Sequence, residues 1–197
     1  PPTVRRPVPI PIRGIAASGQ GPKLRYALDR TAELVLALED YFDIAYPYRK
    51  LDIVAVPDFA SGAMENVGLI TFREWLLLLD EERATEYQRR AFTYVMAHEL
   101  AHQWFGNLVT MPWWNDIWLN EAFATWMGNK VVQQLRPDYR AELGELSSAQ
   151  RAMRLDGLES ARSIRQPIES NHDIKNAFDA ITYQKGGAVL GMFERWM

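Results

Sequence analysis

Two of the chain's three histidines, His98 and His102, stand four residues apart with Glu99 between them, inside a stretch that carries the signals of one long helix. Thr85 with Gln88 three residues on gives a capping-box start, and Gly106-Asn107 gives a stop, so the pattern predicts a helix from Thr85 to about Phe105. Side chains four apart on a helix point the same way. Such a helix must either bury two imidazoles in its core stripe, beside Val95 and Phe105, or give both to one ion. Burying both rings and the Glu99 carboxyl together with no metal costs on the order of 1–3 kcal/mol for each group left unsatisfied. A metal removes that cost, and at about 2.0–2.1 Å both imidazoles can meet one zinc ion.

Glu99 lies about 100° round the helix axis, near enough to touch a water on the metal without ligating it, which is the placement of a general base. The sequence has no cysteine, so any metal must be held by His, Asp or Glu, and no disulfide framework or thiolate nucleophile is possible. A third ligand is on offer in Asn120-Glu121, on the following helix. His98, His102 and Glu121 are thus the expected ligands of one Zn²⁺ per chain, with a fourth position open to water. His172, within Ser170-Asn171-His172-Asp173, reads as part of a solvated turn.

The remaining pattern places this helix in an α+β chain. Leu24, Leu28, Leu34, Leu38 and Phe42 recur at helical spacing until Pro47 stops them. Leu51 to Val56 and Val67 to Phe72 read as strands, with Gly62 in the loop between. Further helices are expected from Leu119 to Leu135, from a cap at Asp138 to Leu155, and from Tyr183 to Trp196, with Gln166 to Asp173 as loop. Strands come first and helices after. Trp113, Trp114 and Trp118 are expected to pack in the loop beside the metal helix rather than line a cleft, and Asp116 to sit in a turn rather than orient a histidine.

With 48% hydrophobic and 24% charged residues, the chain has the composition of a packed, soluble domain. A net charge of -3 and a pI near 5.7 leave no basic stripe for nucleic acid or anionic lipid, so small or peptide ligands are the expected partners. The longest apolar run, Trp75 to Leu79, is too short to span a bilayer. Residues 1–21, rich in proline, read as a linker or an edge strand entering from something upstream, and residues 22–197 as the domain that carries the metal site. A start at Pro-Pro and an apolar helix at the very end suggest an excised segment with flanking domains missing and that domain cut short at its C-terminal end. The compartment is left open, with a soluble cytoplasmic setting as the default.

Four segments together, Gly62-Ala63-Met64-Glu65-Asn66, HELAHQWFGNLVT from His98 to Thr110, WLNEAFA from Trp118 to Ala124, and Thr182-Tyr183-Gln184-Lys185-Gly186-Gly187, closely resemble the aminopeptidase N family of zinc metallopeptidases, a branch of the gluzincins. The resemblance implies a thermolysin-like metallopeptidase catalytic domain, with a small β-sheet lobe followed by a helical lobe. It further implies peptide substrates with a free N-terminus, bound through Gly62, Ala63, Met64, Glu65 and Asn66. Glu65 would hold the α-ammonium, Gly62 and Ala63 would pair their backbone with the peptide, Glu99 would act as base, and Tyr183 would donate to the oxyanion. Ala63 stands where the leukotriene-hydrolase branch carries Gly, which favours peptide over epoxide hydrolysis. The alternatives are a thermolysin-like endopeptidase, disfavoured by Glu65 in its motif, and a non-catalytic module, disfavoured because ligands, base and tyrosine are all present.

Overall fold

A computed structural model describes residues 8–197, so what the proline-rich reading implies for residues 1–7 lies outside the described residues. Four strands, β1 (Ile12–Ile15), β2 (Leu51–Val56), β3 (Ala63–Met64) and β4 (Leu69–Arg73), form one sheet in the order β1-β2-β4-β3. β1 and β4 run parallel to β2, and β3 lies antiparallel on the edge of β4. Parallel neighbours need a crossover, and α1 (Arg25–Phe42) supplies it between β1 and β2. The helices α2 (Glu74–Leu77), α3 (Glu86–His102), α4 (Ile117–Leu135), α5 (Ala141–Asp156), α6 (Asn171–Asn176) and α7 (Gly186–Trp196) follow. The chain is α+β with a small mixed sheet, as the order of the sequence signals requires.

Side chains from every layer meet in one core. Leu34 and Leu38 of α1, Ile53 of β2, Ile70 and Phe72 of β4, Phe92, Met96 and Leu100 of α3, and Met127 of α4 are fully buried in a single cluster. α3 is the central element, packed on α1, on α4 and beside β3. Among the described residues no helix is long and apolar enough to cross a membrane.

The boundaries that differ from expectation do so for local reasons. Thr85 Oγ1 accepts from Gln88 N at 3.2 Å, but the Gln88 side chain donates to Trp75 O at 2.6 Å instead of returning to Thr85, so only half of the capping box forms. α3 stops at His102, earlier than Phe105, because Asn107 N bonds back to His102 O at 3.0 Å and Gly106 takes φ 125°. Asp138 does not cap α5. Its carboxylate receives Arg136 in two bonds of 3.0 and 2.7 Å, and Arg140 at φ 52° leads into the helix. The 166–173 stretch, expected as loop, ends in α6, which Ser170 and Asp173 start with a complete capping box. Finally, Ile181–Lys185 forms a π-helical turn, so α7 begins at Gly186 and not at Tyr183.

Two buried features can be tested directly. At Gly128 of α4 a Cβ would stand 3.1 Å from His98 N and 3.3 Å from His98 Cα, so the missing side chain sets how closely α4 approaches α3. Gly128→Val forces the two backbones apart and is expected to cost about 1–3 kcal/mol in urea unfolding, an unchanged midpoint being the contrary result. In the sheet, buried Asp52 of β2 receives its register partner Arg13 at 2.6 Å and Lys50 at 2.7 Å. Hydrogen bonds from Arg13 and then Lys50 bring its carboxyl down from 3.8 to about 2. A depressed folded value gives stability that is fully present above pH 3.8 and lost as pH falls through about 2. The gap in unfolding midpoint between wild type and Asp52→Asn is therefore expected to narrow across that window. A gap that stays constant would contradict it.

Candidate active site

The last turns of α3 and the first turn of α4 converge on one point. His98 and His102 project from the same face of α3, and Glu121 comes from α4 where the two helices cross. His98 Nε2 lies 3.1 Å from His102 Nε2 and 3.2 Å from Glu121 Oε2, and His102 Nε2 lies 3.4 Å from the same oxygen. A tetrahedral ion with arms of about 2.0–2.1 Å has edges of roughly 3.3–3.4 Å, so this triangle of two nitrogens and one oxygen has the size of a tetrahedral face. The donors are those zinc takes, and the residues fit it.

The surroundings orient each donor toward the common point. His102 Nδ1 is 3.3 Å from the Phe105 carbonyl, which can only accept, so Nδ1 carries a proton and Nε2 is the nitrogen turned toward Glu121. Thr125 Oγ1 stands 3.5 Å from His98 Nδ1. Burial acts to raise the Glu121 carboxyl, but hydrogen bonds from His102 and His98 outweigh it and keep the group far below the usual range. Gly106 must lack a side chain, because a Cβ there would overlap Asn120 Oδ1 at 2.2 Å and reach His102 Nδ1 at 3.1 Å.

Glu99, one position on from His98, is buried with Oε2 lacking any hydrogen-bond partner. Burial pushes its carboxyl up to about 8, against the pull of His102. An orphaned buried oxygen costs about 1–3 kcal/mol and is retained where a ligand, water or substrate is to be bound.

Glu65 is tied down from several sides. Its carbonyl accepts from Gln103 Nε2 at 2.9 Å and from Asn107 Nδ2 at 2.8 Å, while Gln103 Oε1 accepts from Gly68 N at 3.1 Å. Its carboxylate accepts from Asn120 Nδ2 at 3.3 Å and lies 4.0 Å from His102 Nε2. Asn120 also reaches Glu121 Oε1 at 3.2 Å, so one amide spaces the two carboxylates. Just upstream, the Arg73 guanidinium holds the carbonyls of Phe59, Ala60 and Ser61, which fixes the approach to edge strand β3.

These parts open onto a cleft of about 720 Å³. Gly62, Ala63, Met64, Glu65, His98, Glu99, Glu121 and Tyr183 all line it, together with Tyr94, Val95, Trp114 and Phe178. His102 lies behind the others at 1% exposure. Asn66 is not brought to the cleft, and its amide donates to Thr71 Oγ1 at 3.4 Å. Tyr183 sits in the π-helical turn with its ring 6.0 Å from that of His98. Burial first, and then the Glu121 charge, drive its hydroxyl far up, so it stays protonated and able to donate. Trp113 and Trp114 are not packed away as expected; they are 65% and 57% exposed, and Trp114 faces the cleft. Asp116 lies in a turn and pairs with Arg165 at 2.6 Å, and His172 is exposed on α6.

Gln103, Asn107, Thr125, Gly106 and Gly128 play positioning roles that the sequence reading misses. Gln103 directly follows the His-Glu-x-x-His run, but neither residue type nor spacing shows that its amide reaches across to the Glu65 loop.

Comparison with known proteins agrees with this geometry. Residues 26–197 match the peptidase family M1 domain. The chain is 41% identical over 188 residues to Aminopeptidase M1 of Arabidopsis thaliana, covering 95% of this chain and 21% of that protein. It is 45% identical over 172 residues to Endoplasmic reticulum aminopeptidase 1 of Mus musculus, covering 87% and 18%. Against Aminopeptidase 2 of Candida albicans it is 43% identical over 189 residues, covering 95% and 20%. The chain thus spans about a fifth of the length of the curated relatives it matches. The family is one of metal-dependent peptidases, and the His98, His102 and Glu121 group is of a kind that could hold the metal. On its extent and its motifs together, the chain belongs to the M1 peptidase family.

Proposed function

We propose that the intact protein is a zinc-dependent aminopeptidase, in which residues 22–197 supply a thermolysin-like catalytic domain. The observation that carries this reading is the position of Glu65. Its carboxylate is held by Asn120 at the end of edge strand β3, 4.0 Å from one metal-binding nitrogen, where a chain end and a scissile bond can be grasped together.

Substrate would enter as an added strand against β3, with the main chain of Gly62 and Ala63 giving hydrogen bonds and the α-ammonium closing on Glu65. That pairing leaves room for a single residue before the reacting carbonyl. Bound by His98, His102 and Glu121, zinc would supply Lewis acidity, lowering the pKa of the attacking water and polarising the carbonyl. Glu99 takes the proton from water as it attacks and passes it to the departing amine. The Tyr183 hydroxyl donates to the carbonyl oxygen as negative charge gathers on it, a bond that strengthens in the transition state. The buried setting of Glu99 makes its contribution larger than it would be in water.

Metal content separates ligands from the base. His98→Ala, His102→Ala and Glu121→Ala are each expected to lose zinc that wild type retains near one per chain after dialysis, read by atomic absorption. Glu99→Gln should keep the metal while its rate in the intact protein drops by at least roughly 100-fold. Wild-type zinc affinity in the ligand variants would sink the site. The aminopeptidase reading itself is tested with one peptide carrying a free or an acetylated N-terminus. Acetylation removes a charge-assisted bond of about 1.5–3 kcal/mol, so kcat/KM is expected to fall at least 10-fold to 100-fold, with the preference shrinking in Glu65→Ala. Equal rates on the two peptides would turn the assignment to an endopeptidase.

A further inference from the structure

The face of α3 that lines the cleft can be followed past the lining residues. Eleven residues separate Tyr87 from His98 on α3, which at about 100° per residue is three turns plus roughly 20°, so the two lie on one face. Ala91, Tyr94 and Val95 fall between them on or near that face, and all are left partly exposed while Phe92, Met96 and Ala97 behind them are buried. Tyr94 and Val95 line the active-site cleft. One wall therefore continues from the metal ligands toward the N-terminal end of α3.

The opposite wall leads the same way. From Glu65 the strand backs through Ala63 and Gly62 to Ser61, all lining the cleft, and a Cβ at Gly62 would stand 3.6 Å from Leu76 Cδ1. Leu76 follows Trp75 directly. Beyond the lining residues Ser61 and Tyr94, Trp75 and Tyr87 lie nearly parallel, at 5° with centroids 6.4 Å apart, and are 44% and 74% exposed. Gln88 Nε2 bonds Trp75 O at 2.6 Å and ties α2 to the first turn of α3. Two parallel, exposed rings offer an apolar face to an aromatic or proline side chain.

We infer that Trp75 and Tyr87 form a distal subsite for the downstream part of a peptide substrate, an inference that rests on the aminopeptidase reading above. With the α-ammonium on Glu65 and the scissile bond at His98, pairing with β3 carries the chain beyond that bond toward Ser61. Eleven helical residues span about 16 Å, which an extended peptide at about 3.3 Å per residue covers in roughly five residues. The subsite thus reads the side chain at about the fifth or sixth position of the substrate. A dipeptide never reaches it. The site favours peptides of six residues or more, with an aromatic or proline near that position, and acts through binding and not through the chemical step.

The test is kinetic, on the intact protein, with a dipeptide and a set of octapeptides sharing the same first two residues and carrying one Phe moved through positions four to seven in an alanine-serine background. In wild type the kcat/KM ratio of octapeptide to dipeptide is expected to peak with Phe at position five or six, mostly through KM. Trp75→Ala and Tyr87→Ala should each lower that peak ratio by about 5-fold to 10-fold, and Tyr87→Phe, which keeps the ring, should preserve it. Unchanged ratios in both alanine variants, or no dependence on the Phe position in wild type, overturn the subsite while leaving the aminopeptidase assignment intact. Failure to cleave any of the free-N-terminus peptides overturns the assignment and the subsite together.

Discussion

Where α4 crosses α3, the absence of a side chain at Gly128 lets the two backbones approach until only about 3 Å would separate a Cβ from the His98 main chain. The candidate metal-binding group depends on that approach. His98 and His102 are fixed relative to one another by the helix that carries them, but Glu121 belongs to the other helix, and its distance from the imidazoles is the distance between two packed rods. Interiors are close-packed and resist small displacement, so the core formed by Met96, Leu100 and Met127 holds the triangle of donors to size. The sheet serves the same geometry from the other side, because β3 and the Glu65 loop are hung from α3 by Gln103 and Asn107.

The polar groups around this crossing would be expensive if any partner were missing. His102, Gln103, Asn120 and Glu121 are all buried, and each is bonded to another member of the group or to the Glu65 loop. Networks of this kind rigidify a site when complete and destabilise it when broken. Glu99 Oε2 stands apart as the buried oxygen in the cleft that lacks a bond, and it belongs to the carboxylate proposed as the base. Stability is given up at the atom proposed to work.

Much of this was legible in the sequence because short-range rules govern it. The i, i+4 histidines lie on a helix whose start Thr85 does mark, and β2 spans Leu51 to Val56 as its β-branched run and Pro57 imply. What escaped the reading depends on contacts that residue type and spacing leave open. Asp138 looks like a helix cap until Arg136 is seen to take both its oxygens. Ser170 and Asp173 carry a valid start signal, but it opens only six helical residues. The π-helical turn at Tyr183 has no period of its own, and it is the Arg162 contacts with Asp179 and Thr182 that hold this segment. Trp114 follows the general tendency of aromatics to bury only in part, because it borders the cleft, and Trp113 beside it is exposed.

The central claim is that two imidazoles and one carboxylate hold a single zinc ion in this crossing. X-ray absorption at the zinc edge of the metal-loaded protein measures that environment directly. The account predicts an inner shell of four nitrogen or oxygen neighbours at about 2.0–2.1 Å, with the outer-shell scattering of two imidazole rings. A shell of six oxygens, or a spectrum without the scattering of two imidazole rings, would contradict it.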